Sequence, residues 1–147
     1  MLPPFDKRGN LPPGIHYCSW SEFLARFASN TRRRQLAAGL QEAMELLRAA
    51  GCPTVYIDGS FVSNKQMPAD FDACWELDGV NLEVLDPLLL RNENRSQLQK
   101  LRFGGELFFF RLQDAGRSET MFDFFQADKA TGEAKGIVAI DLQVKES

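Results

Sequence analysis

No stretch constrains this chain more than residues 55–77, VYIDGSFVSNKQMPADFDACWEL. Thr54 to Asp58 is a β-type run closed by Gly59-Ser60, and Asp70-Phe71-Asp72 opens the next one. Side chains on a strand alternate faces, so Asp70 and Asp72 are expected to point the same way, with α-carbons roughly 6.5–7 Å apart. Phe71, Ala73, Trp75 and Leu77 then share an apolar opposite face. Two carboxylates so placed repel unless water, a shared proton or a cation relieves them. A hard divalent ion suits the task, because Mg²⁺ takes one or two carboxylates and leaves positions for substrate phosphates.

The Gly-Ser pair supplies a complementary half. Glycine lets a backbone come close to a ligand at positive φ. Successive N–H groups in such a turn hold an anion, with a serine hydroxyl as a further donor. Lys65 adds a positive charge in the loop that follows. A phosphate end and a metal end on adjacent strands describe a nucleotide site.

Gly59-Ser60, a nine-residue spacer and Asp70-Phe71-Asp72 resemble the signature of the polymerase-beta-like nucleotidyltransferase superfamily. The segments LPPGIH, YIDGSFV and KGIVAIDL are similar to those of a family of small bacterial proteins without an assigned activity, associated with that fold. The resemblance implies transfer of a nucleoside monophosphate from a nucleoside triphosphate to a protein, RNA or small-molecule acceptor. It implies Asp70 and Asp72 as catalytic and metal-binding residues, for Mg²⁺ or in its place Mn²⁺. Gly59, Ser60 and Lys65 would hold the nucleotide's phosphates. The third carboxylate commonly comes from a later strand, which implies Glu106, with Asp123 as runner-up. Here Phe61 to Asn64 stand where small transferases of this kind often carry an arginine, and these 147 residues read as a core without a separate acceptor domain. A protein partner or a second copy would complete such a core. Two other readings stay open. One is a non-catalytic binding module, such as the antitoxin of a bacterial toxin–antitoxin pair, docking through the proline-rich arm or aromatic surface from Phe103 to Phe110. The other is a nucleic-acid binder using Arg32 to Arg34 and Arg95 to Arg102 on phosphates.

The remaining sequence bounds the setting. A length of 147 residues suits one domain with a proper core. A net charge of −3 lacks the basic footprint of a non-specific nucleic-acid binder. No apolar run is long enough for a membrane span, and the N-terminus is not a signal peptide. Cys18, Cys52 and Cys74 are odd in number and widely spaced, as for reduced thiols in a cytoplasmic protein.

In order, residues 1–18 read as a proline-rich extended arm and 19–147 as a single domain. His16, the only histidine, reads as structural. Ser19 to Glu22 is a capping box for a first helix through Phe27, and Ser29 or Asn30 caps a second running from about Thr31 to Ala50. Arg32 to Arg34 opposes the helix dipole and reads as a solvated face. Asp86-Pro87 starts a helical region that Gly104-Gly105 stops; Glu106 to Leu112 is a strand; Ser118 to Gln126 a short helix; Ile137 to Leu142 a closing strand. The expected fold is α+β: two N-terminal helices and further helices packed on a mixed, nucleotidyltransferase-like sheet of about four strands.

Overall fold

In the computed structural model, which describes residues 2–90, 96–111 and 135–144, helix formation begins at Ser19. Its hydroxyl accepts a hydrogen bond from the Glu22 backbone N–H at 3.1 Å, and α1 runs from Trp20 to Phe27. The Glu22 carboxylate accepts from Leu2 N at 2.7 Å, so the cap also anchors the N-terminal arm. Trp20, Phe23 and Phe27 are buried, with Phe23 stacked on Trp20 and meeting Phe61 edge-on. The Asn30 side chain accepts from Arg33 N at 2.8 Å and opens α2, Thr31–Ala49. Its buried stripe is the expected one, Leu36, Leu40, Ala43, Met44 and Leu47. Burying each leucine or methionine of this stripe stabilises by about 1.5–3 kcal/mol before entropy is counted.

Among the described residues five strands form one mixed sheet: β1 Gly14–Tyr17, β2 Thr54–Asp58, β3 Phe71–Glu76, β4 Gly105–Phe110 and β5 Gly136–Asp141. Their order is β1-β5-β2-β3-β4, antiparallel at β5-β2 and β2-β3, and parallel at β1-β5 and β3-β4. The fold is thus α+β, with five strands among the described residues, one more than the expected four or so. The added one comes from the proline-rich lead-in, where the four-residue run Gly14–Tyr17 is too short to announce itself but pairs residue for residue with β5. His16 Nε2 donates to Pro12 O at 2.7 Å, a structural role.

The third helix, α3, spans Ser96–Phe103 and lies with α1 and α2 on one face of the sheet, over Val55, Ile57, Phe71, Ala73, Trp75, Leu107, Val138 and Ile140. At Gly39 an added Cβ would stand 1.7 Å from the Phe103 carbonyl oxygen, so α2 can approach the end of α3 only through glycine. The other face carries a smaller buried cluster of Tyr56, Cys74, Phe110, Ile137 and Ala139. Phe103 and Phe110 are therefore core residues, and the aromatic docking surface expected there reduces to Phe109, 39% exposed, and half-buried Phe108.

The arginine run is a solvated face only at Arg34, which is exposed. Arg33 is 3% exposed, and its guanidinium donates to the carbonyls of Phe27 at 3.0 Å, Phe61 at 2.7 Å and Ser63 at 2.7 Å, and to Lys65 O. Arg32 donates to Pro68 O at 3.1 Å and to Ala69 O. A loop without sheet or helix partners must place its carbonyls somewhere. Here α2 supplies the donors, so the segment between Gly-Ser and Asp-Phe-Asp is tied down by arginine.

Strand β4, the edge of the sheet among the described residues, is handled similarly. Gln99, fully buried, accepts from Leu107 N at 3.0 Å and donates to Leu107 O at 3.3 Å and Leu88 O at 2.9 Å. One side-chain amide thus takes both outward backbone groups of Leu107, which blunts the sheet edge. Among the described residues no helix is long and apolar enough to cross a membrane. The expected helix from Ser118 to Gln126, with Asp123, lies outside the described residues, as does Arg95.

Candidate functional site

Strand β2 ends at Asp58, and the chain turns at Gly59 with φ +84° and ψ −169°. That backbone region is essentially closed to other residues. A Cβ on Gly59 would also lie 3.0 Å from Asp72 Oδ2, a tight contact to which the carboxylate would have to yield. Ser60–Val62 then forms a single 3₁₀ turn.

The register sets three acids abreast. Asp58 pairs with Asp72 across β2-β3, and Asp72 pairs with Glu106 across β3-β4. Paired residues on neighbouring strands point to the same face at about 4.5–5.5 Å between their Cβ atoms. This is the face away from the helices, since Asp72 alternates with Phe71 and Ala73, which lie beneath them. Like charges so close are unfavourable unless compensated. Lys135 Nζ lies 3.0 Å from Asp58 Oδ1 at one end of the row. At the other, Lys100 Nζ lies 3.0 Å from Glu106 Oε1 and 3.6 Å from Asp70 Oδ2. Glu106, then Asp70, raises the Lys100 pKa above its usual value. Asp72 holds the middle of the row.

Asp70 is one residue ahead of β3. It lines a hollow of about 490 Å³ between α2 and α3, with Arg32, Glu42, Lys100 and Gly104 around it. Asp70 and Glu106 are nevertheless brought to the same ammonium group, and Asp72 stands beside Glu106. Lys65 is placed elsewhere, in a separate hollow with Arg26 and Arg33. Deeper on the acid-bearing face, burial, Asp58 and Glu76 push the Cys74 thiol well above its ordinary pKa. Asp58, Lys100 and Lys135 escaped the sequence reading. Asp58 had one visible signal, its position directly before Gly-Ser; the lysines had none, because each meets its acid only through the fold.

Among the described residues no three carboxylate, histidine or cysteine side chains converge closely enough to hold a metal ion as they stand. The donor chemistry does suit Mg²⁺: Asp70, Asp72 and Glu106 offer hard oxygens. The Lys100 ammonium lies against two of them, Asp70 and Glu106.

A mixed α+β sheet with a row of acids beside a glycine-serine turn is the class this geometry defines. Residues 3–141 match DUF6932, a family of unknown function, and the chain belongs to that family. No curated protein and no solved structure matches it.

Proposed function

We propose that this domain is a nucleotidyltransferase acting on a nucleoside triphosphate. The observation that carries the reading is the register of Asp72 with Glu106, with Asp70 drawn to the same lysine as Glu106, beside the constrained turn at Gly59. Asp70, Asp72 and Glu106 would hold Mg²⁺, which when bound supplies charge neutralisation of the polyphosphate. Gly59 leaves the backbone of the turn open to close approach, and the Ser60 hydroxyl offers a donor to the phosphates. The acceptor's oxygen attacks the α-phosphorus, and the bond to the bridging oxygen breaks as pyrophosphate leaves. The acceptor proton passes to a carboxylate of the row, Glu106 in this reading. Arg33 and Arg32 act as positioning residues, holding the loop that links the two halves of the site. The acceptor class is a protein, an RNA or a small-molecule hydroxyl.

A second reading, a non-catalytic module that binds a nucleotide or a partner protein, is favoured by the ion pairs of Lys100 and Lys135 with Asp70, Glu106 and Asp58. The two are separated by incubating the protein with each labelled nucleoside triphosphate, Mg²⁺ or Mn²⁺ and a cell extract. Asp70→Ala/Asp72→Ala serves as the control. Label transfer by the wild type alone supports the enzyme; saturable nucleotide binding without transfer supports the module; equal transfer by both proteins refutes the mechanism. Lys100→Gln removes the competing cation, so it is expected to lower the Mg²⁺ concentration needed for half-saturation. An unchanged Mg²⁺ requirement would take Lys100 out of the site.

A further inference from the structure

On the side of the loop towards α1, a second hollow of about 420 Å³ opens between the N-terminal arm, the start of α2 and residues 63–66. Arg26, Arg33 and Lys65 line it together with neutral polar residues and Phe5, and no carboxylate among the described residues does. Gathering three cations in one hollow is not a by-product of a basic surface, since the chain's net charge is −3. Like charges held together raise the free energy of the empty hollow and favour an anion within it.

The three cations have different duties. Arg33 spends its donors on loop carbonyls and contributes its charge alone. Arg26 packs its guanidinium 4.3 Å above the Phe5 ring and donates through Nη2 to Pro3 O at 2.9 Å, which fixes its position and leaves other donors. Lys65 is held by its backbone, N–H to Ser63 Oγ at 3.2 Å and carbonyl to Arg33, while its ammonium forms no ion pair among the described residues. The 19-residue helix α2 also begins at this hollow, at Asn30, and has no acid in its first turn. Its dipole therefore adds positive potential where the cations already stand.

We propose that this hollow is a binding site for a small phosphate-bearing ligand, gripped by Arg26 and Lys65 in the field of Arg33. Three positive charges and a helix N-terminus exceed what one carboxylate would match. A hollow of this size suits a phosphate with a modest organic part. The site is separate from the carboxylate row and does not depend on the proposed transfer reaction.

The test is calorimetric titration of the full chain in EDTA with inorganic phosphate, pyrophosphate and AMP. At least one is expected to bind saturably and to weaken with added salt. Lys65→Gln, a surface change, and Arg26→Lys, which keeps a charge but loses the fork, should each weaken it, the first by about tenfold or more. Asp72→Asn should bind as the wild type does. Equal affinity for phosphate and AMP would place the phosphate alone in the hollow; tighter AMP would place the nucleoside there too. Lack of saturable binding by all three ligands, an unchanged Lys65→Gln titration, or loss of binding in Asp72→Asn would overturn the assignment.

Discussion

Replacing Arg33 tests whether α2 organises the loop between the two halves of the site. In Arg33→Met the side chain keeps its apolar stem and loses every donor. The carbonyls of Ser63 and Lys65 lie near solvent and can turn to water. Those of Phe27 and Phe61 are buried, at 3.0 and 2.7 Å from the guanidinium. Each buried acceptor left unpaired costs about 1–3 kcal/mol. Against this, burial already disfavours the guanidinium's charge, lowering its pKa, so removing the cation returns part of the loss. The expected net destabilisation is about 2–4 kcal/mol. Arg33→Lys keeps a charge but reaches fewer carbonyls, so it should fall between wild type and Arg33→Met. Urea unfolding followed by tryptophan fluorescence reads this directly, as a lower midpoint at unchanged slope. A shift below about 0.5 kcal/mol for Arg33→Met, the range of ordinary surface changes, would refute the argument.

Gln99→Leu preserves volume but strips Leu107 N, Leu107 O and Leu88 O of their partner; it should cost about 2–4 kcal/mol and promote edge-to-edge association, and light scattering no higher than wild type would remove Gln99's edge role. Gly59→Ala forces a Cβ towards Asp72 Oδ2 at a backbone angle alanine avoids, with an expected loss of about 1–3 kcal/mol in thermal unfolding; an unchanged melting temperature would count against the packed turn. Burial pushes the Cys52 thiol from 9.0 up to about 12. The folded state therefore keeps that proton while the unfolded chain releases it, so stability is whole below pH about 9 and declines as pH rises towards 12, by at most about 1.4 kcal/mol per pH unit for this one group. Cys52→Ala should flatten the alkaline decline in urea midpoint. A thiol reagent should modify half-buried Cys18 first and reach Cys52 and Cys74 only on unfolding; three equally fast thiols would contradict their burial.

Sequence periodicity by itself determined both N-terminal helices, because capping chemistry and a 3.6-residue apolar stripe are local. It also determined the strands on either side of Gly59-Ser60 and the strand carrying Glu106 on the face of Phe108 and Phe110, since alternation needs only neighbouring residues. Gly59 was legible as a special backbone position for the same reason. What only the tertiary structure decided is who meets whom across strands and helices. Asp58 joins the row because register aligns it with Asp72, and Lys100 reaches Asp70 and Glu106 because α3 packs beside β4. Arg33, read from its neighbours as a charge on a helix surface, is buried because the loop's carbonyls come to it from about thirty residues away. Long-range pairing depends on which surfaces the packed core brings together, and no window of sequence holds that information.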